Sequence, residues 1–271
     1  MSYVILECGS VARGDTNIHS DRDLVCIWSG ILPNYSHIEK THGETMFYSI
    51  DNITRMRKKG SLFLTHLDID SKYLDGNIKL LNVFKGYRPQ KKHIRNTQLD
   101  TITFIKKIHW YPDSLVGEFW LCDVLYVALR NFIYCKNALS NCYLFGYEDA
   151  IKNFSLTSVE YSTMLLLREA KYLFRSGRLE KLDSFDINNI EKVCHSILGQ
   201  PINFFKGGST CWDEEWKNNY WSGRFIERAI LNNEFDDDTF LEKIKRYNYN
   251  KYSLRTEITE IVNNKTLVFN E

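Results

Sequence analysis

Asp21 and Asp23 stand one residue apart, directly before the apolar run LVCIW at residues 24–28. Side chains alternate along a strand, so both carboxylates share a face if the strand begins at Ser20 or Asp21. Two carboxylates this close repel each other unless a cation lies between them. Mg²⁺ prefers hard oxygen ligands and commonly joins one or two carboxylates to substrate phosphates. The pair therefore predicts a site for Mg²⁺, or Mn²⁺, at the head of a strand.

A second candidate group, Gly9 and Ser10, follows the apolar segment YVILEC at residues 3–8. A glycine after a strand lets the backbone approach a ligand closely. Free N–H groups at a following helix start, together with the Ser10 hydroxyl, can hold phosphate oxygens. Arg13 could add a charge-assisted contact to the same phosphates. The spacing predicts that this phosphate cradle and the metal ligands lie at adjacent strand ends.

Local patterns predict the elements that must position these residues. Strands are expected at 3–8, 24–28 and 45–50, and a helical stretch at 52–74 with a break near Gly60. Apolar residues at helical spacing predict further helices at these ranges: 115–137, 157–175, 184–198, 212–221 and 237–246. We therefore expect an α+β protein, with a mixed-sheet domain at 1–111 and a helical substrate-binding domain with a C-terminal tail at 112–271.

Composition narrows the class of protein. The 271 residues are 44% apolar, enough to bury a substantial core. The net charge of +1 gives no sign of bulk nucleic-acid binding, although it permits a local basic pocket. Seven cysteines without a CxxC pair predict reduced thiols rather than disulfides or a zinc site. Because no apolar run reaches about 18 residues, we expect a cytoplasmic protein without a membrane span.

The stretches GSVARGD and SDRDLV together resemble the signature of the DNA polymerase β-like nucleotidyltransferase superfamily. That signature is Gly-Ser after an apolar residue, a spacer, and Asp-x-Asp with apolar neighbours; here ten residues separate Ser10 from Asp21. The resemblance implies transfer of a nucleoside monophosphate from an NTP or dNTP to an acceptor hydroxyl, with release of pyrophosphate. It also implies that Asp21 and Asp23 bind the metal and that Gly9 and Ser10 hold the triphosphate, with Ser20 beside them.

The same family usually supplies a third carboxylate on a neighbouring strand, often as general base for the acceptor hydroxyl. Asp51, at the end of the strand TMFYSID, is the first candidate. The alternatives are Asp68, Asp70 and Asp123. A further departure from the family pattern is Arg22, which lies between the two aspartates where an apolar residue is commoner.

Cations in the second half are candidates for contact with phosphate. Arg168, Lys171 and Arg175 follow each other at spacings of three and four, which places them on one face of the predicted helix. They fit either a basic stripe that faces the triphosphate or a solvated helix end whose cations suit the dipole.

The residue patterns are compatible with several acceptors. One hypothesis is template-independent synthesis of a nucleotide or oligonucleotide signal in bacterial antiviral defence, as in CBASS-like or Hailong-type synthases, with an effector protein as partner. Tyr247, Tyr249 and Tyr252, near the C-terminus, could then serve as acceptor or priming hydroxyls. A second hypothesis is nucleotidylation of a small molecule such as an antibiotic, a tRNA, or a partner protein, as in antitoxin–toxin pairs. A third is an inactive homologue that binds nucleotide or protein.

Overall fold

A four-stranded mixed sheet forms the N-terminal part of the chain in the computed structural model. The described residues are 2–16, 20, 22–178, 185–211 and 221–234. The strands are β1 (Ser2–Cys8), β2 (Asp23–Ser29), β3 (Thr45–Ser49) and β4 (Lys72–Gly76), in the order β3-β2-β1-β4. β1 runs antiparallel to both β2 and β4, whereas β2 and β3 are parallel. With helices on both faces, the α+β prediction is confirmed.

The first three strands match the predicted ranges to within two residues, but the segment after them does not. The predicted helical stretch 52–74 consists of α3 (Ile50–Lys59), α4 (Leu62–Asp70) and then β4. The expected break is confirmed, because Gly60 ends α3 with a left-handed φ of +78°. β4 was missed because this short strand is defined by its hydrogen bonds to β1 and has no clear alternating pattern of its own.

The two faces of the sheet bury different sets of apolar side chains. Alternate positions of β1 and β2 pack against α3 and α4, with Ile53, Leu64 and Leu67 from the helices. The opposite face buries Ile5 and Cys26 against Ile38 of the helix α2 (Tyr35–His42). Asp23 lies two residues before Val25, which belongs to the first set. The carboxylate of Asp23 therefore lies on the face of α3 and α4, at the end of the sheet.

Most of the remaining described residues are helical. The helices are α1 (Gly9–Arg13), α5 (Lys91–Lys107), α6 (Leu115–Leu139), α7 (Tyr147–Lys152), α8 (Ser158–Ser176), α9 (Ile187–Leu198) and α10 (Ser222–Leu231), with a 3₁₀ helix at Ile78–Val83. Two short strands, β5 (Trp110–Tyr111) and β6 (Phe205–Lys206), form a separate parallel pair. The helices predicted at 115–137, 157–175 and 184–198 are confirmed. Those predicted at 212–221 and 237–246 lie, except for Trp221, outside the described residues. The helices α2, α5, α7 and α10 were not predicted.

Contacts divide the chain into two compact units. Unit 1 contains residues 1–99 and 131–155, and unit 2 contains residues 100–130 and 156–271. This division differs from the predicted boundary between residues 111 and 112, because a segment from later in the chain returns to the sheet unit. Cys135 and Ala138 of α6 pack with Ile94 in a buried cluster of unit 1. In the part of the chain that the structure describes, no helix is long and apolar enough to cross a membrane.

Candidate functional site at the edge of the sheet

The candidate site lies where β1 ends and β2 begins. Cys8, the last residue of β1, pairs with Asp23, the first residue of β2, and Gly9 opens α1 directly afterwards. Gly9 has a φ of +76°, and a Cβ atom there would lie 2.5 Å from Oδ2 of Asp23. Any other residue at this position would therefore be both strained and in collision with the carboxylate. The fold brings Gly9 and Asp23 into direct contact, as the spacing predicted.

The start of β2 differs from the expected one. The strand begins at Asp23 rather than at Ser20 or Asp21, so β2 does not include both aspartates. Asp21 lies outside the described residues, and Ser20 is partly buried outside any helix or strand. Asp23 itself is exposed at the end of the sheet.

Arg22, the departure from the family pattern, has its own partners. Its Nε donates to Oε1 of Glu7 at 2.6 Å, and its Nη1 donates to the carbonyl of His42 at 3.1 Å. Glu7 alternates with Cys8 along β1 and so lies on the other face of the sheet from Asp23. The ion pair of Arg22 and Glu7 therefore lies on the α2 face of the sheet, opposite the face of Asp23.

Arg13, at the end of α1, contacts three side chains. Its Nε donates to Oδ2 of Asp15 at 3.1 Å, and its Nη1 donates to Oδ2 of Asp70 at 3.2 Å. The same Nη1 lies 3.2 Å from Nε2 of His66. The guanidinium predicted to touch phosphate is therefore bound to protein groups, which fixes its position at the site. Ser10, one helical turn earlier, is partly buried, and its carbonyl accepts from the N–H of Gly14 at 2.8 Å.

The strand register corrects the first candidate for the third carboxylate. β2 and β3 are parallel, with Leu24 opposite Thr45 and Trp28 opposite Ser49. Asp23 precedes the start of this register, whereas Asp51 follows its end, in the exposed first turn of α3. Five strand residues at about 3.3 Å each place the two at opposite ends of the sheet, about 16 Å apart. Asp51 is therefore not part of this site.

Asp68 and Asp70 lie on different sides of α4, because residues two apart on a helix are separated by about 200°. Asp68 accepts from Nη1 of Arg88 at 2.6 Å and from the N–H of Gly86 at 2.8 Å. Asp70 faces Arg13 and lies 3.4 Å from Nε2 of His66. Of the two alternatives, the structure thus brings Asp70 to the Asp23 edge and holds Asp68 elsewhere.

Cys8 lies beneath these carboxylates. Its Sγ donates to the backbone carbonyl of Asp23 at 3.6 Å, and its side chain is buried. Burial raises the pKa of the Cys8 thiol to about 12, and the charges of Asp23 and Asp70 add to the effect while Arg13 opposes it. Burial also raises the pKa of Asp70, outweighing Arg13. The Cys8 thiol therefore stays protonated near neutral pH, and the atoms at this edge that could ligate a cation are carboxylate oxygens.

Asp123, the last alternative, belongs to a buried cluster in unit 2. It is fully buried and forms ion pairs with Arg175 and with Nη1 of Arg224, the latter at 2.9 Å. Arg175 also donates to Oε1 of Glu227 at 3.0 Å. Asp123 therefore neutralises arginines within unit 2, and Arg175 is neither part of a solvated face nor exposed to a ligand.

The other predicted cations of α8 also belong to unit 2. The ammonium of Lys171 lies over the rings of Tyr172, at 4.6 Å, and Tyr126, at 5.5 Å. Arg168 is partly buried one turn earlier. Arg168 and Lys171 are compatible with the predicted shared helix face. They belong to unit 2, whereas Gly9, Ser10 and Asp23 belong to unit 1. The tyrosines 247, 249 and 252 lie outside the described residues.

Several residues at the edge have no counterpart in the sequence prediction. His66 lies four residues before the predicted alternative Asp70 on one helix, a spacing that could have indicated His66. The ring of Phe145 packs 4.8 Å from that of His66, and a Cβ at Gly146 would lie 3.0 Å from Oδ2 of Asp15. No local signal connects Phe145 and Gly146 with this site, because they come from the returning segment 131–155.

Within the described ranges, no group of three or more His, Cys, Asp or Glu side chains is placed to hold a metal ion; Asp21 is not among them. No protein-family model, no curated protein and no solved structure matches the chain.

Proposed function

We propose that the chain is a Mg²⁺-dependent nucleotidyltransferase that moves a nucleoside monophosphate from an NTP or dNTP to an acceptor hydroxyl. The observation that carries this proposal is the contact between Asp23 and Gly9. It joins the two halves of the family signature at one edge of the sheet, with the carboxylate against a glycine that tolerates no side chain. A solvated turn needs no such close approach between residues fourteen positions apart.

The donor chemistry of this edge fits a hard cation. Asp23 and Asp70 offer carboxylate oxygens, and the neighbouring Cys8 thiol is protonated, so soft thiolate ligation is not favoured. Asp21 and Asp23 would hold the ion, which when bound stabilises charge on the triphosphate. Gly9, Ser10 and Ser20 would contact the phosphates. Because Asp51 lies at the other end of the sheet, Asp70 replaces it as the candidate third carboxylate.

In the proposed reaction, the acceptor oxygen attacks the α-phosphorus and forms a new P–O bond while the bond to pyrophosphate breaks. The acceptor proton passes to a base, for which Asp70 is the candidate at this edge. Arg13 would act as a positioning residue, because its contacts with Asp15 and Asp70 fix both carboxylates relative to α1. The protein's contribution is then chiefly orientation and charge stabilisation.

For the acceptor, we favour the growing nucleotide or oligonucleotide of a defence signal. Modification of a small molecule, a tRNA or a partner protein is the alternative. One specific observation supports a second candidate, an inactive homologue that binds nucleotide: the Asp70 carboxylate is already in contact with Arg13 and His66. Product analysis distinguishes all three.

The test incubates the purified chain with each labelled NTP and dNTP in the presence of Mg²⁺ or Mn²⁺ and resolves the products. Asp23→Asn should lower the rate of transfer by about 100-fold or more, since it removes charge at the metal site. The matched control is Asp51→Asn, an exposed aspartate at the opposite end of the sheet, which should stay within about twofold of the parent.

The products identify the acceptor. Ladders or cyclic products support signal synthesis, and label on the chain supports self-modification or priming. If the chain alone gives no product, RNA, an aminoglycoside and a candidate partner protein are added in turn. Nucleotide binding without turnover under every condition would establish the inactive homologue. Equal activity of Asp23→Asn and the parent chain would overturn the proposed site.

A further inference from the structure

Positive charge is concentrated in one part of unit 1. Residues 55–95 contain eleven Lys or Arg, three Asp and no Glu, which gives this segment a net charge of +8. The whole chain has a net charge of +1, so the remainder is acidic. The near-neutral total therefore conceals a strongly basic region.

The fold brings three basic stretches of this segment together: the end of α3, the loop at 84–88 and the start of α5. The Nη1 of Arg57 donates to the carbonyl of Val83 at 3.0 Å, and the hydroxyl of Tyr87 donates to the carbonyl of Arg57 at 2.8 Å. A Cβ at Gly60 would collide with the side chain of His93. These contacts join the end of α3 to both neighbours.

We call the exposed cations of these three stretches the basic surface. Its members are Lys58, Lys59, Lys85, Lys91, Lys92 and Arg95. Each of the six is exposed, and none forms an ion pair with an acidic side chain among the described residues. Arg88, in the same region, shows the contrast, since it is paired with Asp68. Six uncompensated cations on adjoining elements repel one another and favour binding of a polyanion.

We propose that the basic surface binds the phosphate backbone of a nucleic-acid strand. Regularly spaced phosphates satisfy several separate cations at once, and release of their counterions drives association. A membrane surface is the less favoured partner, because stable interfacial binding also needs exposed apolar side chains. The described part of the chain has no large exposed apolar residue on α3, in the loop at 84–88, or on α5 before Leu99.

Two arginines at the border of this surface stack on aromatic rings. The guanidinium of Arg57 lies 5.4 Å from the ring of Tyr87, and that of Arg88 lies 5.1 Å from the ring of Tyr143. Such stacking holds the two guanidinium groups in place at the border of the surface; Arg57 adds positive charge there, whereas Arg88 is neutralised by Asp68. This binding is separate from the proposed nucleotidyl transfer and needs none of the residues at the Asp23 edge.

The experiment measures binding of a fluorescently labelled DNA single strand, the corresponding RNA strand and the DNA duplex between about 50 and 200 mM salt. The surface variant neutralises three members of the basic surface: Lys58→Gln, Lys59→Gln and Lys92→Gln. The matched control makes the same changes at exposed lysines elsewhere: Lys40, Lys136 and Lys192. Circular dichroism melting verifies that both variants are folded.

We expect the surface variant to bind on the order of 100-fold more weakly at about 0.1 M salt, with a shallower salt dependence. Each lost phosphate contact lowers the slope of log K against log salt by about 0.7 to 0.9. The control should stay within about threefold of the parent. Comparison of the affinities for the two single strands and for the duplex shows which form of nucleic acid binds most tightly.

Three results would overturn the proposal. The parent chain could fail to bind every nucleic acid at the lowest salt. Both variants could lose affinity equally, which would indicate a general charge effect. Anionic vesicles or a polyglutamate peptide could bind more tightly than every nucleic acid, which would assign the surface to a membrane or an acidic protein.

Discussion

Unit 1 and unit 2 each hold a cluster of carboxylates and arginines, and the two clusters differ in burial. In unit 2, Asp123 is 0% and Glu227 1% exposed, and their partners Arg175 and Arg224 are 11% and 14% exposed. In unit 1, Asp15 is 41% exposed and Asp23 is exposed as well, whereas Asp70, which is paired with Arg13, is 10% exposed.

The difference separates a structural role from a role in binding. Fully buried charges are retained in a fold when partners compensate their lost hydration, and removing one partner leaves the others uncompensated. Carboxylates at an open edge keep access to water and therefore to a soluble cation or nucleotide. The residue types in the two clusters are the same, so exposure, rather than composition, indicates which carboxylates can bind a ligand directly. Asp23 meets this criterion, whereas Asp70 would have to give up its contacts with Arg13 and His66 to act as a base.

The largest expected effect tests this contrast in stability. Asp123→Ala should lower the free energy of unfolding by about 3–5 kcal/mol, because Arg175 and Arg224 lose a buried partner. Asp23→Ala should change it by less than about 0.5 kcal/mol, since the side chain is exposed. Urea denaturation followed by circular dichroism measures both variants. Similar losses in the two would remove the distinction between the clusters.

An intermediate effect is expected at the β1–α1 junction. Gly9→Ala should destabilise the chain by about 1–2 kcal/mol from its left-handed backbone, and by more from the collision with Asp23. Gly14→Ala is the matched control, because Gly14 has a φ of +85° with no neighbour within 4 Å of the added Cβ.

The difference between these two variants isolates the contact with Asp23. In an Asp23→Ala background, the extra cost of Gly9→Ala over Gly14→Ala should largely disappear. Thermal melting of the set measures the coupling. An unchanged difference in that background would mean that the carboxylate does not lie against Gly9.

The smallest expected effect concerns the reactivity of the buried Cys8 thiol beneath Asp23. Burial raises the pKa of Cys8 to about 12, so at about pH 8 a thiol reagent should label exposed Cys211 quickly and Cys8 very slowly. Mass spectrometry of labelled peptides checks which cysteine reacts first. The raised pKa also affects stability: Cys8 contributes stability that is complete below the ordinary pKa of a thiol and is lost as the pH rises towards about 12. Comparable labelling of both residues would show that the edge is open beneath Asp23.

Local sequence patterns predicted the strands β1, β2 and β3 and the helices α6, α8 and α9. Their apolar residues repeat at the strand or helix period, and the ends carry clear signals. α8, for example, begins with a capping box at Thr157 and Glu160 and ends at a left-handed Gly177. α5 was missed because its first turns are basic and polar, and β4 because its pairing with β1 defines it. In the site, the same patterns predicted Gly9 beside Asp23 but ranked Asp51 above Asp70.

The sequence by itself determined the order of strand, Gly-Ser, spacer and aspartate, since that order depends on residue types and local spacing. Tertiary structure decided which carboxylates meet. The parallel register of β2 and β3 places Asp51 at the far end of the sheet. The orientation of α4 places Asp70 beside Arg13, and the segment 131–155 places Phe145 against His66. These choices depend on contacts between residues distant in the chain, whose pairing no local period encodes. The segment 55–95 is basic in the sequence itself, but only folding brings its three stretches together as one basic surface.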